Sequence, residues 1–248
     1  RTNPGEYRRQ NRGGVGVVDL NTKDEDFITL FISASAHSDL LFFSDRGKAY
    51  QTKMYEIPEG KRATRGKSIM NFIAFSDQEK VTSILAIPKA AKDEKRSLFM
   101  VTRQGTVKKV AAESFKDVRK SGIIALTLDK SDELLTALMV EKGDEVILTT
   151  AKGQAIRFKE SDVREMGRSA GGVRGMKLRK DDFIVGADVV HKNAEGGPAI
   201  LVMSENGYGK RTAIKEYKIQ KRGGSGIKTA KVTSKIGNIM AARVVTET

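Results

Sequence analysis

Residues 41–53 read LFFSDRGKAYQTK, and that stretch decides the architecture: a short apolar run, a Ser-x-x-Gly corner, then a second run that carries charge. Runs this short, rich in Phe, Val, Ile, Leu and Thr and stopping at a turn glycine, read as a buried strand entering a hairpin. The glycine supplies the positive φ that a tight connection needs. The framework returns as FMVTRQGTVKKVA (99–111), ILTTAKGQAIRFK (147–159) and LVMSENGYGKRTA (201–213). Its glycines, Gly47, Gly105, Gly153 and Gly207, lie 58, 48 and 54 residues apart. Periods of that size mean stacked or radially arranged modules.

Working outward, each repeat predicts four short strands. A third begins after Gly16, Gly66, Gly122, Gly175 or Gly226, and a fourth is apolar again: FITLFI, VTSILAI, LLTALMV, FIVGADVV and NIMAARVV. Only residues 111–116 and 160–165 tolerate helix, as single turns. On the second strand, three residues past the glycine stand Tyr50, Lys108, Ile156 and Lys210, and four past it Gln51, Lys109, Arg157 and Arg211. Neighbours on a strand face opposite ways, so the fourth position is expected to face solvent and to be cationic in three copies. Residues 1–2 align with 211–212, so the chain opens inside a repeat, and it stops just after a fourth strand. The expectation is one all-β domain over 1–248, with repeats at about 1–37, 38–93, 94–142, 143–195 and 196–248, cut from something longer.

Composition narrows the class. No apolar run reaches the roughly 18 residues of a membrane span, and the start does not resemble a signal peptide. The chain has no cysteine, which removes disulfides, thiolate zinc sites and Cys nucleophiles and fits a reducing cytoplasm. Net charge is +14 with pI about 9.8. It is uneven: +3 over residues 1–70, +1 over 71–150 and +10 over 151–248. Such a field attracts polyanions.

Catalytic constellations are absent from the pattern. Gly66-Lys67-Ser68 tempts as a phosphate loop, but Gly60 and Gly66 are separated by five residues, not four, and a strand is expected to follow. His37 and His191 sit in equivalent loops without an acidic cluster, which makes neither a metal site nor a triad. The strongest signal is a pair of glycine-rich basic segments: 6–16 (EYRRQNRGGVG) and 216–226 (EYKIQKRGGSG) agree at seven of eleven positions. Gln10, Arg12, Gly13, Gly14 and Gly16, and in the second copy Lys221, Arg222, Gly223 and Gly224, combine guanidinium or ammonium groups with backbone that can approach a phosphate. Arg8, Arg9, Lys218 and Lys228 flank them. The plainer reading is a loop turning a corner; two copies favour contact with a polyanion.

Residues 10–16 (QNRGGVG) resemble the box Q-[RK]-R-G-G-K-G of the DNA gyrase A C-terminal domain. LLFFSDRGKAYQTKMYEIPEG (40–60), LFMVTRQGTVKKV (98–110), FKESDVREMGRSAGGVRGMKL (158–178) and SENGYGKRTAIKEY (204–217) are similar to that family's successive blades. The resemblance implies a β-pinwheel of four-stranded antiparallel blades, about five of them here, with double-stranded DNA wrapped along a basic outer rim. It implies a non-catalytic part of an ATP-dependent type II topoisomerase in the bacterial cytoplasm, associated with the nucleoid. ATP and Mg2+ would be used elsewhere in an A2B2 holoenzyme, in the N-terminal part of gyrase A and in gyrase B. The domain itself would need no cofactor or metal and be monomeric when isolated. None of Tyr7, Tyr50, Tyr55, Tyr208 and Tyr217 is expected to cleave DNA.

The rim candidates, beyond the two glycine-rich segments, are Arg46, Lys48, Arg65 and Lys67, then Lys108, Lys109, Lys152 and Arg157, then Arg174, Lys177, Lys210, Arg211 and Lys228. The charge tally predicts that losing Arg157, Arg211 and Arg222 together weakens binding more than losing Arg46 and Lys48. Two departures stand against the pattern. Val15 replaces the box lysine, Asn11 its second basic residue, and Ser225 the lysine of the second copy. The family commonly has six blades, which leaves ring closure open. The alternatives are the related C-terminal domain of topoisomerase IV, with weak wrapping, and a propeller-like protein-interaction module.

Overall fold

The structure, a computed structural model, describes residues 1–7, 16, 28–88 and 96–246. Among them the regular structure is β, joined by 3-10 turns. The first hairpin pairs β1 (Asp39–Ser44) with β2 (Lys48–Lys53), and β3 (Val81–Ile87) lies on the other side of β1. The pattern repeats as β4 (Ser97–Thr102), β5 (Thr106–Ala111), β6 (Ile123–Ile124) and β7 (Leu134–Val140). It repeats again as β8 (Glu145–Thr150), β9 (Gln154–Lys159), β10 (Val173–Arg174) and β11 (Ile184–Val190). The last copy is β12 (Ala199–Ser204), β13 (Gly209–Ala213), β14 (Ile227–Lys228) and β15 (Ile239–Val245). Gly47, Gly105, Gly153 and Gly207 all have positive φ, as the hairpins require. The helix-tolerant stretches close into 3-10 turns at Ala112–Phe115 and Glu160–Asp162.

The sheets run β3-β1-β2-β6, β7-β4-β5-β10, β11-β8-β9-β14 and β15-β12-β13, all antiparallel. Each short third strand therefore belongs to the sheet of the preceding repeat. Ile123 and Ile124 pair with Ala49 and Lys48; Val173 and Arg174 with Val107 and Thr106; Ile227 and Lys228 with Ala155 and Gln154. This exchange stitches neighbouring modules by backbone hydrogen bonds, and it leaves the last sheet with three strands among the described residues. The glycines that lead these strands are Gly122, Gly172 and Gly226, all with positive φ. The third-strand glycine of the fourth repeat is thus Gly172 and not Gly175, which follows β10 and has no positive φ. A Cβ on Gly226 would strike the Ala155 carbonyl oxygen, so the crossing admits nothing larger.

Two expected strands do not form. FITLFI is irregular across 28–32, with Ile28 and Phe31 exposed, because a fourth strand pairs with a first strand and the described residues hold none for it. Gly66 likewise leads no strand. A third strand joins the second strand of the repeat before it, none is present for this one among the described residues, and Ile69–Asn71 closes a 3-10 turn instead.

Successive sheets stack face on face. Leu41 and Phe43 pack with Leu98 and Met100, Phe99 and Val101 with Leu148 and Ile156, and Ile147 with Ile200 and Val202. The fourth strands β3, β7, β11 and β15 also touch their neighbours in series, so that edge forms the hub, and β6, β10 and β14 stand at the outer edge.

Candidate nucleic-acid interface

Stacking on both faces overturns, in three copies of four, the expectation that the fourth position past the hairpin glycine faces solvent; Arg211 is exposed. Gln51 and Lys109 are buried and Arg157 is half-buried. Each reaches the following repeat instead. The Gln51 Oε1 accepts from Val118 N at 2.7 Å. Lys109 Nζ pairs with the buried Glu160 carboxylate and also donates to the Glu160 carbonyl at 3.3 Å. Arg157 Nη1 donates to the carbonyls of Ile214 at 2.9 Å and Tyr217 at 3.1 Å, while Nη2 holds Glu145 at 2.5 Å. Arg1, in the same register, donates from Nε to Ile57 O at 2.9 Å. These side chains clamp the 3-10 turn or its exit in the next repeat, so they fix one module to another.

Lys108 is a second correction. It is fully buried, and its ammonium donates to the carbonyls of Ala125 at 2.8 Å, Ala170 at 2.9 Å and Arg168. Burial, helped by the Arg168 charge, pulls its pKa down to about 8. Lys48 is exposed but engaged, 3.1 Å from Glu79, which also accepts from Tyr50 Oη at 2.5 Å. Burial pushes the Glu79 carboxyl up, yet the Tyr50 hydroxyl and the Lys48 ammonium outweigh it and hold it below the usual carboxylate range. Burial, joined by Glu79, pushes Tyr50 above the usual phenol range.

The second glycine-rich segment is docked, not splayed. Gln220 N donates to Arg157 O at 2.8 Å, Gly223 N to Gly175 O at 2.6 Å, and Lys177 N to Gly224 O at 2.9 Å. Arg222 caps the carbonyls of Asp162 at 2.8 Å and Arg174 at 3.1 Å. The Gly223 N–H expected for a phosphate is therefore spent within the protein. Lys221 stays largely in solvent, 3.0 Å from Asp162. Arg8, Arg9, Gln10, Arg12, Gly13 and Gly14 lie outside the described residues; Gly16 is exposed.

Part of what remains accessible lies on or beside the outer strands. Arg174 and Lys228 are exposed on the transferred strands β10 and β14, and Lys177 follows β10. Lys152 is exposed at the β8–β9 turn, its Nζ on Lys180 O at 2.8 Å. Arg46, Arg65, Lys67, Lys210 and Arg211 are exposed as well. Arg179 and Lys231 join them beside the transferred strands, at positions that the hairpin framework does not reach and so does not mark in the sequence. Among the described residues no group of three His, Asp or Glu side chains could hold a metal ion. His191 instead contacts Asp144 at 3.1 Å. No described helix is long and apolar enough to cross a membrane.

Five stretches of the chain, 1–35, 38–88, 96–141, 144–191 and 199–246, match the family described as DNA gyrase C-terminal domain, beta-propeller. The chain belongs to that family. The DNA gyrase A polypeptide of Staphylococcus epidermidis is 40% identical over 240 residues, covering 97% of this chain and 26% of the relative. The chain thus spans about a quarter of the length of the curated relatives it matches. A solved DNA gyrase A C-terminal domain superposes with TM-score 0.78 at 31% identity, over 98% of this chain and 78% of that one. A solved C-terminal domain of DNA topoisomerase IV shares the fold, with TM-score 0.75 at 24% identity over 85% and 64% of the two chains. As a gyrase C-terminal domain, the chain is a β-pinwheel, and the strand transfer above is how its blades are joined.

Proposed function

We propose that this domain binds duplex DNA along its outer edge and bends it, so that gyrase A can present a crossing of fixed hand to its strand-passing core. The observation that carries the reading is the row of exposed cations on and beside the transferred strands, Arg174, Lys177 and Lys228 with Lys152 and Lys221, in the part of the chain that holds +10 of the charge. Phosphate contacts of this kind position a duplex without reading its sequence. Bending by 40–90° costs of order 1–6 kcal/mol, so several blades share the work. Lys108, Lys109, Arg157 and Arg222 leave the contact set and act by holding the blades in place. Catalysis, with its ATP and Mg2+, sits elsewhere in an A2B2 assembly with the N-terminal part of gyrase A and with gyrase B, in the bacterial cytoplasm.

The test is to ligate a nicked circle with excess domain and read the linking number. A shift supports wrapping. Bound DNA without a shift moves the reading to the topoisomerase IV type, and no binding to a protein-interaction module. Neutralising about ten phosphates gives a log–log salt slope of roughly −9, and a slope shallower than about −3 rules out an extended wrap.

A further inference from the structure

The three transferred strands overlay register for register, because each follows a turn glycine, Gly122, Gly172 or Gly226. Two residues past the glycine, on the strand itself, stand Ile124, Arg174 and Lys228. Five past it stand Thr127, Lys177 and Lys231, and seven past it Asp129, Arg179 and Thr233. All of these are exposed, Ile124 by 56%. In these registers the outer edge of the second sheet carries +3, that of the third +2 and that of the first −1. Lys130 does not separate the edges, since Lys180 matches it. Ion pairing widens the difference. Lys48, which pairs across β2 and β6 with Ile124, is 3.1 Å from Glu79, and Lys120, in the corner before β6, is 3.4 Å from Glu56. Among the described residues no carboxylate pairs with Arg174, Lys177, Arg179, Lys228 or Lys231. Arg46 and Arg119 are exposed at the hairpin turn and the corner beside the first sheet, outside the three registers.

We propose that a duplex passing these three edges is gripped at the second and third sheets and crosses the first without a charged phosphate contact from its transferred strand, because the registers there hold no free cation. This path rests on the DNA-binding reading above and fixes which edges carry it. Ile124 has no donor for a phosphate oxygen, Thr127 has only a neutral hydroxyl, and Asp129 repels the phosphate. An isolated exposed isoleucine is ordinary on a protein surface, so Ile124 calls for no second partner. Arg174, Lys177, Arg179, Lys228 and Lys231 stand on or beside the edges of adjacent sheets, so they pull on one stretch of duplex. The bend is concentrated there, and the duplex stands off the first edge.

The chain has no cysteine, so single ones can carry a photo-crosslinker at one register of all three edges: Ser121→Cys, Gly171→Cys and Ser225→Cys, each exposed, just before the turn glycine and outside the contact set. With saturating duplex, the second and third positions are expected to crosslink at least about tenfold more than the first, since phosphate contacts hold the duplex against them. Equal yields at all three overturn the path. Ile124→Arg/Thr127→Lys/Asp129→Arg is then expected to raise the Ser121→Cys yield to that of the other two, and a yield that stays low overturns charge as the cause. In salt titrations Lys177→Gln/Lys231→Gln should make the log–log slope shallower by roughly 2, and Ile124→Ala/Thr127→Ala should leave it unchanged. Equal effects of the two pairs count against the path as well. A linking-number shift with equal crosslinking sinks this path alone; no crosslinking at any position and no shift sinks the DNA reading and the path with it.

Discussion

The second sheet and the last are built on one hairpin framework, FMVTRQGTVKKVA and LVMSENGYGKRTA, and use it for different ends. In the second, Phe99 and Val101 are fully buried against the third sheet, and Lys109 is clamped to the repeat beyond. In the last, the equivalent Leu201 is half-buried, Met203 is 39% exposed, and Lys210 and Arg211 are exposed. Among the described residues, the same residue types in the same register are core where another described module covers them and surface where none is described. Position in the stack, and not position in the repeat, sets the role of each cation.

The comparison breaks most visibly at Lys109. Lys109→Ala leaves Glu160 buried and unpaired, and removing one partner of a buried ion pair costs about 3–5 kcal/mol. The expected outcome is a large drop in urea midpoint, with Lys109→Met/Glu160→Met recovering most of it. A midpoint that Lys109→Ala leaves unchanged, or a double variant no more stable than the single one, would mean that the clamp to Glu160 carries no stability.

The hairpin glycines sharpen it next. Gly153 and Gly207 share a positive φ, but a Cβ on Gly153 would strike the Ala230 carbonyl oxygen, whereas among the described residues one on Gly207 meets nothing within 4 Å. Left-handed backbone alone costs a non-glycine residue about 1–2 kcal/mol. Gly207→Ala should therefore cost about 1 kcal/mol, and Gly153→Ala about 3 kcal/mol or more because the corner must move as well. Equal midpoint shifts in thermal unfolding would contradict the packing described at Gly153.

Much of this was legible in the residues. The hairpins declare themselves through an apolar run, a Ser or Thr and a turn glycine, because that order is what a buried hairpin needs. The turns before the fourth strands use Asp for the backbone reason that favours it in turns: Asp132 Oδ1 accepts from Gln104 N and Glu133 N, and Asp182 Oδ1 from Lys152 N and Phe183 N. The crossing of the third strands was not, since two residues such as Ile227–Lys228 carry no mark of which sheet they join. Nor was the fate of Lys108, Lys109 and Arg157. Strand alternation assigns one face to the core, and it fails where a sheet lies between two others and both faces are covered. Arg222 misled for a related reason: a guanidinium that fits a phosphate also fits two carbonyls.

The smallest effect follows from the two lysines. Lys108 has its pKa lowered from 10.5 to about 8, so above that pH the native state releases a proton that the unfolded chain still holds. Stability then rises with pH, by about 2 kcal/mol between about pH 8 and 9.5, and the gain is complete only once the unfolded lysine also titrates. Lys108→Met should flatten that rise while lowering stability at neutral pH, because three carbonyls lose their donor. Lys210→Met, with one carbonyl partner among the described residues, should leave both the rise and the neutral-pH stability nearly unchanged. Urea unfolding of the three proteins across this range decides it: a rise that survives Lys108→Met would place the titrating group elsewhere and remove the contrast between covered and uncovered copies at this position.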